Sequence, residues 1–279
     1  MTEQHVLGLS GGKDSAALAV YMRLHHPELD IQYFFTDTGK ELKEVHEFLG
    51  KLEGFLGRPI QRLNPDRDFD FWLREYGNFL PSPRTRWCTR QLKLAPFRDW
   101  IKPWLAAGDT VHSYVAIRAD EPHREGYDSG HDNLTVHLPF RAAAVDHAGV
   151  IELLEGAGIG LPRYYDWRSR SGCTFCFFQQ KIEWVRLKER HPEAFEEAKS
   201  YEKNALEHGS PFTWSDRESL TELEQPERVA AIEKDHERRK ARARARVKPN
   251  PLRPAGSQPE GLEFEEAFSA SKACLVCHK

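Results

Sequence analysis

Residues 6–24 read VLGLSGGKDSAALAVYMRL, a short apolar run followed by a glycine turn and then by residues that favour a helix. This order predicts a β-strand over Val6–Leu9, a loop over Ser10–Ser15 and a helix over residues 14–25. Glycines let the backbone approach a phosphate, and the N–H groups and dipole of the following helix favour its negative charge. The stretch therefore indicates an anion site, to which Lys13 adds a donor. A glycine turn without chemical consequence is the plain alternative.

The same alternation of strand and helix continues downstream. Further short strands are predicted at Ile31–Thr36, Pro59–Leu63 and Val111–Ile117, and further helices over residues 40–56 and 91–106. This pattern predicts an α/β fold with a doubly wound, Rossmann-like parallel sheet. Ligands of such sheets bind at the carboxyl ends of the strands, so we expect the polar clusters 37–39 and 118–121 to face the same crevice as the glycine loop.

The length of 279 residues allows one large domain with an appended region. We predict a nucleotide-binding domain over residues 1–170, a helical region with a Cys-x-x-Cys pair over residues 171–248, and a linker and tail over residues 249–279. Residues 181–203 carry helical periodicity. No signal-like leader and no run of about 18 apolar residues is present, so we expect a cytoplasmic protein without a membrane partner.

Charge and cysteine are both distributed unevenly. Arg238–Lys248 contains no acidic residue, which suits a DNA or RNA backbone or, equally, a solvated helical arm. Cys88 stands alone, whereas Cys173 pairs with Cys176 and Cys274 pairs with Cys277. Because disulfides are rare in a reducing compartment, this spacing indicates metal or redox work.

The loop Ser10–Ser15 is identical to the SGGxDS pyrophosphate loop of the ATP pyrophosphatase superfamily. Three later blocks are Arg86-Trp87-Cys88-Thr89 with Lys93, Ile117-Arg118-Ala119-Asp120-Glu121 with Arg124, and Arg170-Ser171-Gly172-Cys173 with Cys176. Together they resemble the phosphoadenosine phosphosulfate reductase family, near its DNA-phosphorothioation sulfurtransferase branch. The resemblance covers residues 5–200 and implies an adenine nucleotide alpha hydrolase type of fold.

The resemblance implies that ATP is cleaved between its α and β phosphates. Many reductases of this family lack the pair Lys13 and Asp14, so the intact pair favours a member that binds and splits ATP itself. Asp14 or Asp37 would hold Mg²⁺, although Asp14 suits a helix cap equally well. The expected ATP-binding residues are Ser10, Gly11, Gly12, Lys13, Asp14, Ser15, Phe35, Asp37, Thr38, Gly39 and Arg118. The expected substrate-binding residues are Arg86, Lys93, Asp120, Glu121 and Arg124, although the arginines also suit salt bridges.

Cys88, Cys173 and Cys176 match the cysteine positions of iron–sulfur relatives, whereas Thr89 replaces a second cysteine in the first block. Three thiolates hold a [4Fe-4S] cluster with one iron open for sulfide or substrate. A Zn²⁺ site of two Cys-x-x-Cys pairs is the rival, although its spacer is far longer than usual. Cys274 and Cys277 would act as nucleophile, as a sulfur-carrying pair or as a further ligand.

The leading hypothesis is an enzyme that uses ATP to adenylylate an acceptor, with Lys13 and Asp14 at the reacting phosphates, and then supports sulfur transfer. A sulfur-donor or redox protein would be its partner. A sulfonucleotide reductase that releases sulfite, with a tail cysteine as nucleophile, is the alternative enzyme. A module that binds nucleotide or nucleic acid without catalysis is the alternative from another class.

Overall fold

A computed structural model describes residues 2–63, 67–126, 130–209, 213–215 and 217–246. These residues form two compact units. The first contains the described chain up to Phe69 and Trp87–Pro162, and the second contains Asp70–Arg86 and the described chain from Arg163 onward. The first unit therefore holds most of the domain predicted for residues 1–170, without residues 70–86 and 163–170. The predicted linker and the tail cysteines lie outside the described residues.

The first unit is built on a parallel sheet of five strands in the order β3-β2-β1-β4-β5. The strands are β1 (Glu3–Gly8), β2 (Ile31–Phe35), β3 (Ile60–Arg62), β4 (Thr110–Tyr114) and β5 (Leu134–His137). The doubly wound α/β sheet is confirmed, and four of its strands lie where the sequence predicts them. The four-residue strand β5 was not predicted, because a run this short carries too little periodicity.

The helices are α1 (Lys13–His25), α2 (Lys43–Leu56), α3 (Phe69–Glu75), α4 (Trp87–Thr89), α5 (Ala95–Ala106), α6 (Pro139–Ala142), α7 (His147–Gly156), α8 (Lys181–Arg190), α9 (Pro192–Glu207), α10 (Leu220–Leu223) and α11 (Pro226–Arg246). A π-helical stretch, Arg90–Leu94, joins α4 to α5. None of the described helices is both long enough and apolar enough to cross a membrane.

Side chains alternate between the two faces of the sheet, and each face has its own cover. On one face, Val6 and Val111 form a core with Ile101 of α5. The aromatic side chains of α5, Phe97, Trp100 and Trp104, pack against this core. On the other face, Tyr114 and His137 line a cavity of about 250 Å³ with Met22 of α1. Helix α1 in turn contacts α7. With both faces covered by helices, the carboxyl ends of the strands stay open, and the glycine loop follows β1 at this edge.

The second unit is helical, as predicted, but the helix expected over residues 181–203 is two helices. The break falls at His191, which ends α8 outside the helical region of backbone space. Pro192 explains it, since proline has no N–H to donate and disfavours helical geometry in the residue before it. Trp184 and Phe195, on either side of the break, are fully buried, so the predicted packing role of these aromatics is confirmed.

Three histidines lie together on the face of the sheet that α1 covers. His5 is paired in register with His112, and their rings stack 4.9 Å apart. His112 Nδ1 lies 2.8 Å from His137 Nε2, and His5 Nδ1 lies 2.9 Å from the hydroxyl of Tyr114. Burial, followed by the charge of His112, lowers the pKa of both His5 and His137.

This histidine row makes the first unit acid-sensitive. A lowered pKa means that the unfolded chain binds protons more readily, so the stabilisation is complete above the ordinary histidine pKa of about 6.5 and is lost as the pH falls below it. We expect the melting temperature to fall between pH 7.5 and 5.5, and to fall less in the double variant His5→Gln, His137→Gln. An equal fall in the exposed-site control His25→Gln and in the double variant would contradict this prediction.

Candidate functional site

The glycine loop follows β1 and leads directly into α1. Gly11 adopts a φ of 70°, which glycine tolerates far better than other residues. The two serine side chains brace the loop: Ser10 N donates to Ser15 Oγ at 3.1 Å, and Ser15 Oγ donates to the Gly12 carbonyl at 3.2 Å. Gly12 precedes the first helical residue and brings no capping side chain. The start of α1 thus has the form of an anion site.

Gly11 also has a close neighbour. A Cβ atom built on Gly11 would lie 2.5 Å from Cγ1 of Val45 on α2. Gly11→Ala is therefore expected to lower the free energy of unfolding by about 1–3 kcal/mol through clash and backbone strain. Gly57→Ala is the matched control, because Gly57 has a φ of 63° but no heavy atom within 4 Å of its Cβ position.

Denaturant titration separates the clash from the strain. Gly57→Ala is expected to lose only the strain, about 1 kcal/mol. Adding Val45→Ala to Gly11→Ala removes the clashing methyl groups, so the two substitutions together cost less than the sum of their separate costs. If the free-energy losses of Gly11→Ala and Val45→Ala were strictly additive, or if Gly57→Ala lost as much as Gly11→Ala, the contact between Gly11 and Val45 would not contribute to stability.

Lys13, Asp14 and Arg118 form a buried chain of charges. Lys13 is fully buried, and its Nζ lies 3.3 Å from Oδ2 of Asp14. The other oxygen of Asp14 accepts a hydrogen bond of 2.9 Å from Arg118 Nη1. Although burial disfavours the charged guanidinium, the neighbouring carboxylates, above all that of Asp14, raise the pKa of Arg118. The ammonium of Lys13 and the guanidinium of Arg118 therefore share the carboxylate of Asp14 at the start of α1.

Arg118 also contacts one of the residues that the sequence predicts to bind substrate. Arg118 Nε donates to Asp120 at 2.8 Å, and this bond helps to lower the pKa of Asp120 against the effect of burial. Glu121 accepts from Arg124 at 3.0 Å. Arg124 is 3% exposed, so it is a buried ion-pair partner. The structure thus brings Arg118, Asp120, Glu121 and Arg124 together, while their contact with a substrate stays a prediction.

The polar segment after β2 folds around a glutamate that the sequence reading missed. Thr38 Oγ1 donates to Glu41 Oε1 at 2.7 Å, and Thr38 N donates to Glu41 Oε2 at 3.2 Å. Gly39 N donates to Asp37 Oδ1 at 2.8 Å. Burial raises the pKa of Glu41 to about 7, while the charge of Lys93 opposes this shift. The spacing Thr-x-x-Glu is that of a capping box and was the available signal.

Phe35, Lys93 and Arg86 occupy three different settings. The Phe35 ring is buried in the first unit, with the Arg62 guanidinium 5.3 Å from its centroid, so it packs beside the crevice. Lys93 lies in the π-helical stretch of the same unit. Arg86 belongs to the second unit, where its guanidinium lies 5.8 Å from the centroid of the Phe178 ring. The roles predicted for these residues stay predictions.

The described cysteines are half-buried and divided between the units. Cys88 lies in α4 of the first unit, and Cys173 and Cys176 lie in a loop of the second. Cys176 N donates to the Cys173 carbonyl at 3.3 Å, closing a tight turn. The buried Arg168 supports this turn by donating to the Cys173 carbonyl at 2.6 Å. The metal-binding role predicted for these cysteines stays a prediction.

The basic segment begins within α11. Arg239 Nε lies 2.7 Å from an oxygen of Asp235, Arg238 pairs with the same carboxylate, and Lys240 lies 3.7 Å from Glu237. The basic side chains from residue 243 onward lie outside the described part of the chain. At its described end, the segment therefore shares its positive charge with acidic groups of its own helix.

Comparisons with known proteins find one family model and three relatives that are similar to parts of this chain. Residues 4–126 match the family model of the phosphoadenosine phosphosulfate reductase domain. Two uncharacterized proteins of Methanocaldococcus jannaschii are 29% and 25% identical over 68% and 67% of this chain, which spans 40% and 44% of their lengths. An uncharacterized 37.8 kDa protein of Escherichia phage 186 is 28% identical, with 71% of this chain and 74% of that protein covered.

Two solved structures are similar at low identity. Phosphoadenylyl-sulfate reductase from Candida auris, in a phosphate complex, has 12% identity and a TM-score of 0.46, covering 61% of this chain and 81% of its own. NMN synthetase from Francisella tularensis has 14% identity and a TM-score of 0.38, covering 90% of each chain.

Proposed function

We propose that the chain activates an acceptor with ATP and supports sulfur transfer to it, because residues 4–126 match the phosphoadenosine phosphosulfate reductase domain and the order of motifs resembles that family. In the first step an acceptor oxygen attacks the α-phosphorus, the bond to the bridging oxygen of the β-phosphate breaks, and pyrophosphate leaves. In the second step hydrosulfide attacks the acceptor atom that carries the adenylylated oxygen, the bond between that atom and the oxygen breaks, AMP leaves with the oxygen, and the sulfur releases its proton. The chain's task is then to position the reactants and neutralise their charge.

The buried chain Lys13–Asp14–Arg118 is the observation that carries this proposal. It lies at the base of an intact SGGKDS loop, where the β and γ phosphates of ATP would bind. The adenosine would lie beside residues 35–39. Asp14 already faces two cationic groups, so Asp37 is the carboxylate better suited to hold Mg²⁺, which binds phosphates through few protein oxygens. Mg²⁺ would neutralise charge on the leaving pyrophosphate.

Cys88, Cys173 and Cys176 would hold a [4Fe-4S] cluster, since thiolate is the donor such clusters require and all three residues are only half-buried. When bound, a cluster with an open iron would supply a site for sulfide. The Arg168 contacts keep the Cys173–Cys176 turn in one shape. Cys274 and Cys277 would serve as the nucleophile, as a sulfur-carrying pair or as a further ligand of the cluster.

The proposal is tested by product analysis. Anaerobically purified chain is incubated with ATP, sulfide and candidate acceptors, and AMP, pyrophosphate and sulfite are measured. Equal amounts of AMP and pyrophosphate, dependent on the acceptor, support the proposal. Sulfite released from phosphoadenosine phosphosulfate without ATP would replace it with the reductase reaction. Neither product, together with nucleic-acid binding that weakens steeply with salt, would replace it with a binding module.

Metal content tests the thiolate set separately. We expect the anaerobic wild type to contain about four iron atoms per chain, and Cys88→Ala to lose most of them because three ligands cannot be reduced to two without cost. Thr89→Ala is the control, since it alters the neighbouring buried side chain without removing a thiolate. A zinc-only protein whose metal content is unchanged by Cys88→Ala would rule out the cluster.

The acceptor would be a nucleic acid held by the segment Arg238–Lys248. Each phosphate that this segment neutralises releases counterions, so binding should weaken as salt rises. The support is the charge run itself, whose described part lies on one continuous helix.

A further inference from the structure

Asp37, Glu41 and His46 place one ligand atom each within 4.8 Å of one another. Asp37 and Glu41 lie on the segment after β2, and His46 lies in the first turn of α2. Around a six-coordinate ion with bonds of about 2.1 Å, ligand atoms lie about 3 Å apart when adjacent and about 4.2 Å apart when opposite. The three atoms therefore need only small side-chain adjustments to share one ion.

Hydrogen bonds and one ring contact position the three side chains in the absence of an ion. Both oxygens of Glu41 accept hydrogen bonds, from Thr38 and from the Lys40 backbone N–H, and Oδ1 of Asp37 accepts from Gly39 N. The His46 ring meets the Phe35 ring edge to face, with centroids 6.0 Å apart. These bonds orient the two carboxylates before an ion binds, as outer hydrogen bonds do around metal ligands.

The chemistry of this donor set selects the ion. Two carboxylates suit Mg²⁺, Ca²⁺ and Mn²⁺, whereas imidazole suits transition metals, and Mn²⁺ accepts both kinds of donor. Zn²⁺ accepts both as well, but the thiolates elsewhere in this chain would compete for it. We propose that Asp37, Glu41 and His46 form a binding site for a divalent transition-metal ion of the Mn²⁺ type.

The site lies beside the nucleotide loop, since Val45, the residue before His46, is the side chain that approaches Gly11. It is distinct from a Mg²⁺ ion held by Asp37 and phosphate oxygens alone, because it uses an imidazole and needs no nucleotide. Its occupancy can therefore be measured whether or not the chain turns over ATP.

Mn²⁺ alone is the probe. The full chain, treated with chelator and freed of nucleotide, is titrated with Mn²⁺, and free Mn²⁺ is counted by electron paramagnetic resonance. We expect one tight equivalent in the wild type and a loss of affinity of about 10–100-fold in His46→Gln and in Glu41→Gln. Glu47→Gln, next to His46 but 48% exposed in its side chain, is the matched control and should bind as the wild type does.

A second readout guards against loss of folding. Mn²⁺ should raise the melting temperature of the wild type and of Glu47→Gln but not that of His46→Gln, because only binding to the folded state stabilises it. Equal Mn²⁺ affinity in His46→Gln and wild type would overturn the site, as would the absence of a tight equivalent in the wild type. Mn²⁺ binding without pyrophosphate release would leave the site standing and refute only the ATP reaction.

Discussion

Lys13→Met is expected to lower the rate of ATP-dependent pyrophosphate release by about 10²–10³-fold, the cost of removing one preorganised charge from a reacting centre. Lys13 is fully buried at the first residue of α1, where its ammonium adds to the helix dipole. Methionine has a similar length but no charge, so packing is largely retained. Asp14 keeps its bond to Arg118 in this variant, which limits the loss of stability.

The measurement is the initial rate of pyrophosphate release, paired with a thermal melt. Lys43→Met is the matched control, because it removes a lysine whose side chain is 86% exposed from the nearby helix α2. Its rate should equal that of the wild type. If Lys13→Met retained full activity with an unchanged melt, the buried ammonium would have no role at the phosphates, and the proposed placement of ATP would be wrong.

The parts of this site that the sequence predicts are those encoded by neighbours in the chain. Strand, glycine turn and helix follow one another within residues 6–24, so the loop and its place in the sheet could be read directly. The break at Pro192 was equally readable from proline chemistry, and so was the Thr38–Glu41 capping spacing. The error at residues 181–203 came from following aromatic periodicity across a proline.

The parts that the sequence does not predict depend on distant residues. The bond between Arg118 and Asp14 joins positions separated by 104 residues, and no local pattern pairs those two charges. Arg124 shows the same limit: its burial follows from the fold of the loop around Glu121, and a charged residue in a polar stretch looks exposed until that fold is known. Contacts between distant parts of the chain therefore determine which of the predicted ligand-binding residues are buried in ion pairs.

These buried pairs also explain why the loop can be rigid without a bound nucleotide. Two serine hydroxyls brace the loop from within, and Arg118, in the segment that follows β4, bonds to Asp14 in the first turn of α1. A site that is already ordered loses less conformational freedom when a ligand binds. The carboxylate of Asp14 is the link on which both the ammonium and the guanidinium depend.

Asp14→Ala is expected to lower the free energy of unfolding by about 3–5 kcal/mol, because it leaves buried cations without their shared partner. Asp120→Ala is the matched control: it removes another carboxylate from the same guanidinium, but the Asp120 side chain is 41% exposed, against 5% for Asp14. A pair this exposed contributes about 0–1 kcal/mol.

Chemical denaturation of the two variants measures the difference. Adding Arg118→Met to Asp14→Ala should restore part of the lost stability, since replacing a buried charge by an apolar side chain removes the uncompensated cation. Equal losses in Asp14→Ala and Asp120→Ala would show that water reaches Arg118 freely. The buried charge chain would then be an ordinary surface network, and the two cations would not be held ready for phosphate.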